Sequence, residues 1–96
     1  MTAYLVVDTA LTDPEVYETY KLRAKPIVEK YGGEYLARGG NLSVKEQKLW
    51  APTRMVLIRF PSSDDAERFY QSAEYQEVLK IGLRSANRTV FILEGI

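Results

Sequence analysis

Asp8, Tyr20, Arg38, Trp50 and Tyr70 are the residues whose types and positions suit chemistry. Asp8 closes an apolar run, Tyr4-Leu5-Val6-Val7-Asp8, and so stands at the mouth of a sheet. There, desolvation would raise its pKa and make it a general base, whereas a solvated position would leave it a turn or helix-capping residue. Arg38 precedes Gly39-Gly40, where a guanidinium can grip a carboxylate or phosphate with two parallel hydrogen bonds, or else lie in a surface ion pair. Asp8 and Arg38 are therefore the candidate catalytic residues. Tyr20, Arg38, Trp50 and Tyr70 are the candidate ligand-binding set. Tyr20 and Tyr70 fall on the apolar stripes of two helices, and their hydroxyls either orient a substrate or find partners in the core. Core packing is the ordinary role in a chain with seven tyrosines. Trp50, between Leu49 and Ala51-Pro52, suits a pocket mouth or a subunit seam. Arg54, Arg84 and Arg88 are expected to pair with Glu94, Asp8 or Glu34.

Much other chemistry is excluded. The chain has no cysteine and no histidine, which removes disulfides, thiolate nucleophiles, imidazole bases, the usual zinc sites and histidine-ligated haem. No carboxylate spacing suits a metal loop, and no glycine-rich loop cradles a phosphate, so no metal and no cofactor is expected. Thirteen basic residues balance thirteen acidic ones, leaving no electrostatic footprint for nucleic acid or an anionic membrane. A composition 46% apolar and 27% charged is that of an ordinary globular protein. With 96 residues, one core is all the chain can build, so residues 1–96 are read as one domain. The start, Met1-Thr2-Ala3, enters a strand without a basic segment or cleavage signal, and a cytoplasmic location is expected.

The elements that must position these residues can be read in order. A first strand over Tyr4 to Asp8 leads to a helix opened by Asp13-Pro14-Glu15, with Asp13 as cap, or Thr12 with Glu15 as a capping box. Val16, Tyr20, Ala24, Ile27 and Tyr31 line its buried face, Pro26 is expected to kink or divide it, and Gly32-Gly33 ends it. A second strand spans Glu34 to Arg38, Gly39-Gly40-Asn41 form a turn or bulge, and Leu42 to Leu49 reads as extended. Arg54 to Phe60 is the clearest strand. Ser62 or Ser63 caps a further helix carrying Ala66, Phe69, Tyr70 and Ala73, Ser72 restarts it, and Asn87 terminates it before a last strand from Arg88 to Glu94. The order β-α-β-β-α-β predicts an α+β, ferredoxin-like fold: a four-stranded antiparallel sheet with its helices on one face.

The strands carry one further expectation. Leu5 and Val7 point opposite to Tyr4 and Val6, Met55 and Leu57 opposite to Val56 and Ile58, and Val90 and Ile92 opposite to Phe91 and Leu93. Both faces are apolar, yet the helices cover only one. Leaving about six large side chains in water would forgo on the order of 10 kcal/mol, so a second copy is expected to cover the bare face as a sheet-to-sheet homodimer. The alternative is a lid formed by Leu42 to Trp50 or by the C-terminus.

The segments Tyr31-Gly32-Gly33, Arg38-Gly39-Gly40, Phe60-Pro61-Ser62, Phe69-Tyr70-Gln71-Ser72-Ala73-Glu74-Tyr75 and Glu94-Gly95 together resemble the pattern of the domain of unknown function 1330 family. The resemblance spans nearly the whole chain and implies the dimeric α/β-barrel superfamily of ferredoxin-like folds. That superfamily includes cofactor-independent monooxygenases, muconolactone-type isomerases, haem-dependent enzymes and regulatory ligand-binding domains, and fold alone does not choose among them. The absence of histidine departs from the haem-binding members. Three functions remain open: a cofactor-independent isomerase, lyase or monooxygenase acting on a small organic substrate, an anionic one included; a non-catalytic ligand-binding or sensing dimer; and a structural assembly module.

Overall fold

The computed structural model describes all residues from 1 to 96. Its elements are β1 (Ala3–Leu11), α1 (Pro14–Lys30), β2 (Glu34–Arg38), β3 (Met55–Phe60), α2 (Ser63–Gln71), α3 (Ala73–Ser85) and β4 (Ala86–Glu94). The strands form one antiparallel sheet in the order β2-β3-β1-β4. No helix is long and apolar enough to cross a membrane.

Local chemistry explains the helix boundaries. The Asp13 side chain accepts the Val16 N–H at 3.1 Å and Pro14 takes the first helical position, so Asp13 rather than Thr12 caps α1. The helix runs undivided through Pro26 to Lys30, contrary to a break there. Pro26 and Leu22 both lie on its exposed face, where water can serve the carbonyl that proline leaves unbonded. The buried stripe is Tyr17, Tyr20, Ala24 and Val28, turned slightly from the expected one; Val16, Ile27 and Tyr31 are only partly covered. Ser62 caps α2 through the Asp65 N–H. Ser72 closes α2 with its own N–H and caps α3 with its hydroxyl, so one residue ends one helix and begins the next. Asn87 does not terminate α3; Ser85 does, and Ala86 already belongs to β4. The Ser85 carbonyl accepts the N–H groups of Thr12 and Asp13 at 2.9 and 3.0 Å, which uses an orphan helix-end acceptor to tie α3 to the start of α1.

The helices cover one sheet face. Leu5, Val7, Val56, Ile58 and Phe60 pack beneath Tyr17, Tyr20, Val28, Phe69 and Tyr75. The other face carries Tyr4, Val6, Met55, Leu57, Phe91 and Leu93, which strand register brings together: Val6 stands opposite both Leu57 and Phe91, and Tyr4 opposite Leu93. Phe91 and Leu93 are 41% and 55% exposed.

Residues Leu42 to Leu49 form no strand and pair with nothing in the sheet, a correction to the extended reading. The bulge also falls earlier than Gly39-Gly40: the register between β2 and β3 shifts at Leu36, between Tyr35 and Ala37. Tyr35 faces Ile58 and Arg38 faces Val56, so both point toward the helices. In a regular strand, residues three apart would lie on opposite faces. The bulge is what places Arg38 with Tyr35.

Candidate functional site

Between sheet and helices lies a cavity of about 30 Å³. Its polar wall consists of Arg38, Arg54, Arg88, Lys21 and the tyrosines Tyr17, Tyr20, Tyr35 and Tyr75; aliphatic residues and Phe69 complete it. None of its 14 lining residues is Asp or Glu. Among the ion pairs of the molecule, Lys21 is joined to Glu18, but none of the three cavity arginines has an acidic partner. The expected pairing of Arg54 or Arg88 with Glu34 is not formed, because Glu34 bonds Arg59 at 2.7 Å, its direct neighbour across the ladder.

Each arginine is held by neutral groups. The Arg38 guanidinium donates to the Lys21 carbonyl at 2.9 Å and stacks on the Tyr35 ring at 4.3 Å from its centroid. Arg54 lies 5.9 Å from the Tyr17 centroid and passes over Gly39, where a Cβ would sit 2.8 Å from its Nε. Gly39 also has φ of +75°, so glycine is required there for conformation as well as room. Arg88 lies 5.0 Å from the Tyr20 centroid and donates to Tyr75 Oη at 3.3 Å, while its Nε and Nη1 have no partner. Burial works against its charge; its pKa lies above the ordinary arginine value through the charge that Tyr20 and Tyr75 take up on ionisation, so near neutrality these phenols give it dipoles and no counter-charge.

Tyr20 and Tyr75 share a hydrogen bond of 2.7 Å between hydroxyls. Burial, reinforced by Tyr75, pushes the Tyr20 pKa well above that of free tyrosine, and burial raises Tyr35 as well. Both remain protonated donors at neutral pH. Gly82 of α3 makes the seat for this group: a Cβ there would stand 2.7 Å from Arg88 Nη1 and 3.0 Å from the Tyr20 ring. A glycine inside a helix costs about 1 kcal/mol relative to alanine, and here it admits a guanidinium and an aromatic ring against the backbone.

Of the residues singled out in the sequence, Arg38 and Tyr20 line this cavity. Tyr70 lies outside it, stacked at 5.4 Å on the Tyr75 ring and bordering a shallow groove with Leu5 and Val90 to Ile92. Asp8 and Trp50 meet each other on the opposite sheet face. Asp8 accepts Trp50 Nε1–H at 2.9 Å, Thr53 N–H at 2.9 Å and Arg54 N–H at 3.2 Å, and so pins the end of the long segment that follows β2. Its expected pairing with an arginine side chain is thus replaced by a bond to the Arg54 backbone. Sequence reasoning gives no cavity role to Tyr17, Tyr35, Tyr75 or Gly82, and it assigns Arg54 and Arg88 to ion pairs instead. One legible signal existed: Arg88 has the same strand parity as Val90 and Ile92, which places a charge on an inward-facing position.

Partial burial acts to raise the Asp8 pKa, but hydrogen bonds from Thr53, Trp50 and Arg54 outweigh it and hold the carboxyl below the usual aspartate value. A depressed folded pKa means that this contribution to stability is complete above the unfolded value of about 3.9 and is lost as pH falls through the lower folded value. Trp50 is the single tryptophan, so its fluorescence reports the contact. The emission of the wild type should titrate with a midpoint below about 3.9, and Asp8→Asn should abolish that titration at a cost of about 1 kcal/mol in stability.

Strand order, antiparallel register and one-sided helices define a ferredoxin-like α+β protein whose cavity lies between sheet and helices. The chain belongs to the family described as Domain of unknown function (DUF1330), which it matches over residues 2–96. A protein of unknown function from Rhodopseudomonas palustris is similar at 17% identity and a TM-score of 0.74, over 99% of this chain and 82% of that one. SnoaB, a cofactor-independent oxygenase from Streptomyces nogalater, aligns at 7% identity and a TM-score of 0.71, over 99% and 93% of the two chains. A dimeric ferredoxin-like protein of unknown function from Jannaschia sp. aligns at 16% and 0.68, over 99% and 100%. At these identities the likeness establishes the fold. No curated protein sequence matches.

Proposed function

We propose that this protein is a cytoplasmic homodimer that holds a small organic anion at the cavity of each subunit, whose long arginine side chains swing outward to widen its roughly 30 Å³ of free space, and that anything done to the anion there relies on positive charge and hydrogen-bond donation without a cofactor. One observation carries the reading: three arginines face an aromatic-walled cavity that contains no carboxylate. Like charges gathered in a low-dielectric space repel, at on the order of 2 kcal/mol per close pair for an effective dielectric of about 20. In a chain of zero net charge, a bound anion is the natural compensation. The bare apolar sheet face supports the dimer, as does the dimeric state of fold relatives. The lack of cysteine suits a reducing compartment.

The lining groups also discriminate among the three functions. The lining contains no carboxylate and the chain no imidazole, and Asp8 is engaged on the other face. Binding, or stabilisation of negative charge on a substrate, therefore fits better than isomerase or lyase chemistry that starts with proton abstraction by the protein. An assembly module has no use for the arginine cluster. The test is thermal unfolding with paired ligands of one shape, benzoate against benzamide and salicylate against salicylamide. The acids should raise the melting temperature in proportion to the logarithm of their concentration, and the amides should not. Equal shifts from acid and amide would rule the anion site out.

A further inference from the structure

Around the cavity, hydrogen-bond acceptors run out at Tyr20. Arg88 has only donors, so Tyr75 Oη accepts from it. Tyr75 is 1% exposed, and its other hydroxyl partner is Tyr20 Oη at 2.7 Å. Either hydroxyl can donate in this bond, and the arrangement that gives the buried Tyr75 proton an acceptor is the one in which Tyr75 donates to Tyr20. The Tyr20 proton is then left without an acceptor in the protein, and Arg38, Arg54 and Lys21 offer only further donors from their side chains. Gly82 holds the arrangement in place by leaving room for both Arg88 and the Tyr20 ring.

Building on the anion site proposed above, we infer that the Tyr20 hydroxyl donates to an oxyanion of the bound molecule, with Arg88 and Tyr75 behind it as positioning residues that set the direction of that proton. The oxyanion belongs to a flat conjugated skeleton, a phenolate or an enolate, because the cavity onto which Tyr20 opens is lined by the further aromatic rings of Tyr17, Tyr35, Phe69 and Tyr75. Burial keeps Tyr20 protonated, as a donor to such an oxygen must be.

The probe is 4-nitrophenol, whose ionised form is yellow. Wild-type protein should bind the yellow anion and lower its pKa relative to free probe. Tyr20→Phe should weaken anion binding about tenfold and raise the pKa of bound probe by about one unit. Tyr75→Phe, which keeps the Tyr20 hydroxyl but removes the group that orients it, should shift both in the same direction by less. Incorporation of 3-fluorotyrosine at position 20 preserves the packing and makes the hydroxyl a stronger donor, so the bound probe should become more acidic than in the wild type. Equal affinity and equal bound pKa for wild type and Tyr20→Phe, or no effect of the fluorinated residue, would overturn the role of Tyr20 while leaving the anion site intact. A Tyr75→Phe protein identical to wild type would overturn the relay. If the wild type retains no yellow anion, the anion site itself falls, and the Tyr20 assignment with it.

Discussion

Arg88→Met is expected to give a protein that is more stable than the wild type and no longer binds organic anions. The Arg88 guanidinium donates one long hydrogen bond, of 3.3 Å, to Tyr75, while two of its nitrogens have none. No carboxylate faces it across the cavity it shares with Arg38 and Arg54. Its contact with the Tyr20 ring offsets part of that cost. Methionine has a comparable unbranched stem, needs no hydrogen-bond partner and adapts to irregular gaps. Replacing a poorly compensated buried charge by an apolar side chain of similar length should stabilise the fold by about 1 to 2 kcal/mol. In a domain of this size that is several degrees in melting temperature. Thermal unfolding with and without benzoate measures both effects together: a higher baseline, and no further rise with ligand. A variant that melted lower than wild type and still responded to benzoate would show that Arg88 serves the core rather than the ligand.

Leu57→Lys should leave a monomer in place of the proposed dimer. Leu57 sits on the helix-free face, opposite Val6 on one side and Ala37 on the other, near the middle of the apolar patch. In a two-fold contact each substitution occurs twice, so two ammonium groups would enter the same dry interface. Their desolvation should cost about 4 kcal/mol or more, which is a thousandfold loss in affinity. The side chain points away from the helices, so the core and the cavity arginines should be undisturbed. Sedimentation equilibrium at micromolar concentration reads the result directly. A wild type already monomeric under those conditions would dispose of the dimer.

The sequence disclosed the scaffold through short-range signals. Asp13-Pro14-Glu15 marks a helix start because cap, fixed φ and dipole all act within one turn. Ser72 marks the join between α2 and α3 for the same reason. The apolar strands, read by parity, correctly separate the covered face from the bare one. What escaped was set by tertiary contacts. The bulge at Leu36 depends on pairing with β3, and without it Arg38 could not be assigned a face. The segment from Leu42 to Leu49 alternates weakly, like a strand, but finds no edge to pair with. Asp8 has the right position for a base, yet its role depends on Trp50, Thr53 and Arg54, more than forty residues away. Tyr75 and Arg88 meet because α3 passes into β4 without a loop, a connection that no local motif announces.

Strand order also has a consequence for how the chain is made. β1 is synthesised first, but its two neighbours in the sheet are β3 and β4, which end at Phe60 and Glu94. A growing chain therefore carries β1 unpaired, apolar on both sides, until β3 has been made, and cannot close its second edge until β4 follows. Unpaired apolar strands are what nascent chains are prone to aggregate through. β1 thus belongs to the centre of the finished sheet and, of the four strands, waits longest for its partners.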